Sequence, residues 1–126
     1  MQSTSLAGRS ILIVEDEPLI ALDVCAAFEK VGAVVVVART LADAIRLVEQ
    51  DGLSAAVLDF GLGDGHADAL CGRLEQRGIS FILHSGYAHI GSACRSGIVV
   101  PKPCNPEALI EAVVLALAKV AEPPCR

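Results

Sequence analysis

The sequence predicts an α/β fold: a doubly wound, five-stranded parallel sheet with strand order 2-1-3-4-5. Three observations predict it. Short apolar runs alternate with segments of helical period along the whole chain. The apolar runs are unbroken rather than alternating, as expected of strands covered on both faces. Each strand-helix unit takes about 25 residues, enough for short right-handed crossovers between parallel neighbours.

The elements follow in order. Ile11 to Val14 is a β-branched run ended by Glu15-Asp16-Glu17, and Pro18 suits the first turn of a helix, where no backbone N–H is needed. In that helix Ala21, Val24, Cys25, Phe28 and Val31 share one face, and Gly32 stops it. Val34 to Ala38 is the second strand, apolar throughout. Thr40, with Asp43 three residues on, reads as an N-cap with a variant capping box; Leu41, Ala44, Ile45 and Val48 line one face before Asp51-Gly52. Ala55 to Leu58 is the third strand. The turn Gly61-Leu62-Gly63-Asp64-Gly65 leads into a helix carrying Ala67, Leu70, Cys71 and Leu74 on one side, closed by Gly78. Ile79 to Leu83 and Ile98 to Val100 are strands four and five. Asn105-Pro106-Glu107 opens the last helix, with a cap, a proline and a carboxylate at the positive dipole end. Between strands four and five, Tyr87 to Gly97 is weakened by Gly91, Ser92 and Ser96, so any fourth helix there should be short or irregular.

Composition bounds the function. A chain of 126 residues, 53% hydrophobic and 20% charged, suits one domain. The expected division is a leader at 1–9, the domain at 10–121 and a tail at 122–126. Ten basic against fifteen acidic residues give a net charge of −5, and no two basic residues are adjacent, which argues against direct nucleic-acid binding. No apolar run approaches membrane-spanning length and Met1 to Ser10 lacks signal-peptide order, so a cytoplasmic protein with no membrane partner is expected. The five cysteines, at 25, 71, 94, 104 and 125, are irregularly spaced without C-x-x-C. They suggest neither a disulfide frame nor a zinc site, and most read as small core fillers. His66, His84 and His89 lack metal spacing and read as helix-start, strand-end and loop residues.

Ligands on doubly wound sheets bind at the carboxyl ends of the strands, at the switch between strands 1 and 3. Glu15 and Asp16 follow strand 1, Asp59 follows strand 3, Ser85 strand 4 and Lys102 strand 5. Three carboxylates therefore converge with a hydroxyl and an ammonium beside them. Close like charges are costly unless a cation neutralises them, and all-oxygen ligation at few protein groups suits Mg²⁺ with room for a phosphate.

With these residues in order, the chain resembles a two-component response-regulator receiver domain of flavodoxin-like fold. The likeness runs from Ile11-Leu12-Ile13-Val14-Glu15-Asp16-Glu17-Pro18 through Val57-Leu58-Asp59 to Val100-Pro101-Lys102-Pro103. The resemblance implies that Asp59 is the phosphoacceptor, that Asp16 ligates Mg²⁺ directly and Glu15 through water, and that the Gly61 carbonyl completes the metal site. It also implies that Ser85 is the switch hydroxyl and that Lys102 binds phosphate. The implied partners are a sensor histidine kinase or histidine phosphotransfer protein and a downstream protein; homodimerisation is left open. Such a chain is a phosphoacceptor signalling domain rather than an enzyme.

Two features depart from the common pattern. Val99 stands where an aromatic usually moves with the switch, and Ser85 to Lys102 is short where a helix should lie. Phe81-Ile82-Leu83-His84-Ser85-Gly86-Tyr87 is similar to the Phe-x-x-x-Thr-Gly-Tyr stretch of a subgroup of mostly stand-alone alphaproteobacterial receivers, in which Tyr87 would take part of the switch role. Tyr87 as a partly buried loop aromatic is an equal reading.

Other function classes fit these residues less well. The glycine-rich turn misses the dinucleotide, P-loop and EF-hand patterns. A haloacid-dehalogenase-type phosphatase would want an Asp at Gly61. A receiver-like binding module that works without phosphorylation remains the second reading. The residues after 121 leave no space for an output domain, so output through a protein partner, or through the rest of a longer chain, is expected.

Overall fold

The computed structural model describes residues 6–59, 67–85, 94, 97–101 and 105–121. Among the described residues nine elements follow one another: β1 (Ser10–Val14), α1 (Pro18–Lys30), β2 (Val34–Ala38), α2 (Leu41–Val48), β3 (Ala55–Asp59), α3 (Ala67–Gln76), β4 (Ser80–Ser85), β5 (Ile98–Pro101) and α4 (Pro106–Ala121). All strand pairs are parallel, in the order β2-β1-β3-β4-β5. This is the doubly wound sheet the apolar runs predict. The expectation about Tyr87 to Gly97 falls almost entirely outside the described residues.

Two hydrophobic layers sandwich the sheet, because alternate side chains of each strand point to opposite faces. Leu12, Val14, Ala56, Leu58 and Leu83 pack with α2 and α3 on one face. Ile11, Ile13, Val57 and Ile82 pack with α1 and α4 on the other, around Phe28 and Val113. β3 is buried at all five positions, as a central parallel strand should be. β2 is different. Val34 and Val37 are 58% and 41% exposed, because β2 is an edge strand that its flanking helices cover only in part. The expectation that every apolar run is covered on both faces is corrected at this strand.

Local chemistry sets the helix ends. Glu17 is the N-cap of α1 and accepts from the Leu19 N–H at 3.5 Å, with Pro18 in the first turn. Gly32, just beyond the helix, has φ +95°, and a Cβ there would lie 2.9 Å from the Ala7 Cα. Thr40 Oγ1 accepts the Asp43 N–H at 3.0 Å, but the Asp43 carboxylate pairs forward with Arg46 at 3.1 Å. The predicted capping box is thus half formed, since the short Asp side chain is drawn to the guanidinium one turn on. Arg73 of α3 grips Glu49 with two bonds of 2.5 and 2.6 Å, and this hydrogen bonding holds the Glu49 carboxyl below its ordinary range. The pair is exposed, so solvent screening limits what it adds to stability.

The cysteine expectation is corrected. Cys71 on α3 and Cys94 form a disulfide with Cα atoms 5.1 Å apart, and both residues are fully buried. Sequence spacing conceals the bond, because the partners stand 23 residues apart with all of β4 between them and meet only in the folded chain. Cys25 is a free thiol on α1. Burial, and then the charge of Glu29, push its pKa up. Closing the loop between Cys71 and Cys94 restricts the unfolded chain, so reduction should cost up to about 3 kcal/mol of stability. The check is the melting temperature with and without a phosphine reductant. The wild type should melt lower when reduced, and a C71A/C94A double variant should not respond to the reductant. Among the described residues no helix is long and apolar enough to cross a membrane.

Candidate metal and phosphoacceptor site

The site is built where β1 and β3 end side by side. The register pairs Val14 with Leu58, so the residues that follow on each strand emerge together. The Glu15 N–H donates to the Ala38 carbonyl at 3.0 Å, which extends the β1 ladder one residue and fixes the backbone that carries the acidic pair. Glu15 is 4% exposed, and its Oε2 accepts the Glu17 N–H at 3.1 Å. The turn into α1 therefore holds Glu15 inward, while Asp16 stands exposed at the rim. Asp59, the last residue of β3, is 7% exposed.

One carboxylate oxygen from each of Glu15, Asp16 and Asp59 lies within 4.8 Å of the other two. Three acidic side chains so close, two of them buried, could hold a hard divalent cation. The cluster fits Mg²⁺: it offers few protein oxygens and an open side at Asp16, which leaves coordination positions for water and a phosphate oxygen.

The remaining predicted residues are placed less fully. Ser85 is the last residue of β4 and pairs with Pro101, the last of β5, so the backbone before Lys102 runs beside that of Ser85. Gly61, Lys102 and Tyr87 lie outside the described residues. Val99 sits in β5 and is 46% exposed. His84 is a neighbour that sequence reasoning read only as a strand-end residue. It is paired with Asp59 in the β3-β4 register and is 8% exposed, so it projects from the same sheet face next to the carboxylate. The offset between the strands set this pairing, and only the register shows it.

A family model described as the response regulator receiver domain matches residues 11–114. The chain belongs to that family, a class of signalling domains in two-component systems. Its structure resembles a CheY-like response regulator receiver domain protein from Methanospirillum hungatei JF-1, with 26% identity, a TM-score of 0.79, and 89% of this chain and 95% of that one covered. It also resembles the receiver domain of a sensor histidine kinase from Pseudomonas aeruginosa PAO1, solved with a magnesium ion coordinated in the active site cleft; identity is 21%, the TM-score 0.76, and coverage 89% and 99%. A response regulator receiver protein from Sinorhizobium medicae WSM419 is similar at 20% identity and a TM-score of 0.78, with 92% and 99% covered. No curated protein matches the chain.

Proposed function

We propose that this receiver accepts a phosphoryl group on Asp59 from a phosphohistidine of a sensor kinase or phosphotransfer protein. The observation that carries the reading is the meeting of Glu15, Asp16 and Asp59, with Asp59 buried at the end of the central strand. An Asp59 oxygen attacks phosphorus in line, the P–N bond breaks, and the imidazole leaves with the bonding pair. The product is an acyl phosphate, and water later releases inorganic phosphate and restores the carboxylate.

Glu15, Asp16, Asp59 and the Gly61 carbonyl are the proposed Mg²⁺ ligands, Glu15 acting through water. Bound there, the ion supplies positive charge that offsets the charge of the transferring group. Lys102 is assigned to a phosphate oxygen, and Ser85 to the hydroxyl that senses the modified Asp59 and biases the adjoining surface toward a downstream protein. The buried walls of the pocket favour these contacts, since charge interactions strengthen where water is excluded. The proposed compartment is the cytoplasm, where reductants would act on the Cys71–Cys94 bond.

The test is incubation with Mg²⁺ and a small acyl phosphate such as acetyl phosphate, followed by intact-protein mass spectrometry. One added phosphate is expected, and none when the metal is chelated. An unmodified chain under all conditions would favour the phosphorylation-independent binding module. Turnover of a simple phosphomonoester would favour the phosphatase.

A further inference from the structure

The two edges of the sheet are built differently. β5 has four residues and ends in Pro101, which has no N–H to offer a further strand. β2 is Val34-Val35-Val36-Val37-Ala38, with no proline, charge or glycine to blunt it. Natural sheets usually guard such an edge, because its unpaired N–H and C=O groups are a template for another strand.

Backbone bonds show which groups β2 leaves open. The Val34 N–H donates to the Arg9 carbonyl at 2.8 Å, and the Ala38 carbonyl accepts from Glu15 at 3.0 Å. Residues 34, 36 and 38 therefore turn their polar groups toward β1, and residues 35 and 37 turn theirs to the outer edge, where no described residue pairs with them. Beside that edge runs a groove of about 360 Å³ between α1 and β2. Val35 and Val37 form its floor and Leu22 and Ala26 its wall. Leu22 is 68% exposed, and Leu19, one turn earlier on α1, is 75% exposed.

The charges at the ends of this groove choose the occupant. Glu29 lies near the end of α1, beside the start of β2; Arg39 follows the far end of β2. Both are exposed, and neither has an ion-pair partner among the described residues. A strand supplied by a second copy, antiparallel and related by a two-fold axis through Val36, sets Val35 of each copy opposite Val37 of the other. These are the residues with outward polar groups, so each pair can exchange two hydrogen bonds. The same axis turns Arg39 of each copy toward Glu29 of the other, and the two grooves meet on one face beneath both α1 helices. Backbone register and charge are thus both self-complementary, as a closed two-fold interface requires.

We infer that β2 and the α1-β2 groove form a homodimer interface that joins two sheets into one continuous sheet. The interface is independent of phosphoryl transfer at Asp59. The test is sedimentation equilibrium of the metal-free, unphosphorylated chain and its variants, each first shown to keep the wild-type circular dichroism. The wild type should reach twice the 13.1 kDa chain mass. R39E places like charges together twice and should weaken the dimer about tenfold or more, and E29R/R39E should restore it. V37P removes an outward N–H, leaves the β1 ladder intact, and should abolish the dimer. A monomer at every concentration up to the millimolar range would overturn the inference and leave the edge to a strand from another protein. So would a dimer that ignores V37P and R39E yet is lost on L115E, which would move the interface to α4.

Discussion

Asp59→Asn is expected to abolish phosphoryl uptake and, in metal-free buffer, to melt above the wild type. The two effects have one origin. Asp59 is buried within a cluster whose three carboxylate oxygens lie within 4.8 Å of one another. Removing its charge leaves no anionic oxygen to attack phosphorus, and it also relieves repulsion that burial keeps water from screening. A gain of about 1 to 2 kcal/mol is expected, roughly 3 to 10 °C for a domain of this size. Mg²⁺ reverses the order: an ion that binds only the folded state adds about 2.7 kcal/mol at a hundredfold excess over its dissociation constant. The wild type should gain most, because the amide is the poorer ligand. Differential scanning calorimetry with chelator and with Mg²⁺ reads both terms. A variant that melts below the wild type without metal would contradict the repulsion argument.

Phe28→Ala carries the largest expected stability loss. Phe28 is fully buried in α1 and sits in the layer formed with Ile11, Ile13, Val57, Leu109 and Val113. Its carbonyl also accepts the Val31 and Ala33 N–H groups that turn the chain from α1 into β2. The alanine variant keeps those bonds and loses the ring, so its cost is transfer plus cavity, about 4 kcal/mol. Urea unfolding should show a lower midpoint with an unchanged slope. A loss below about 1 kcal/mol would mean that the layer collapses around the gap. The folded variant should still take up phosphate, because α1 joins the site through Glu17 and Pro18, three turns from Phe28.

Most of the architecture was legible because it is written in local patterns. Unbroken apolar runs marked the strands, Pro18 and Glu17 marked the start of α1, and Thr40 marked α2. What stayed hidden depends on neighbours distant in sequence. The Cys71–Cys94 bond, the exposure of Val34 and Val37 and the pairing of His84 with Asp59 are consequences of strand order and register. Asp43 failed as a capping-box residue because Arg46 competes for it. The meeting of Glu15, Asp16 and Asp59 was readable because strand order places the ends of β1 and β3 side by side at one switch point. Gly61 and Lys102 rest on the family resemblance and stay proposals.

Asp59, and no other carboxylate of the cluster, is proposed to carry the phosphoryl group. Borohydride reduces an acyl phosphate to an alcohol, so an aspartyl phosphate becomes homoserine. After Mg²⁺ and acetyl phosphate, borohydride treatment and peptide sequencing by mass spectrometry should find homoserine at position 59 alone. Conversion at Asp16 or reduction of Glu15, or no converted residue in a chain that has gained phosphate, would rule out Asp59 as the acceptor.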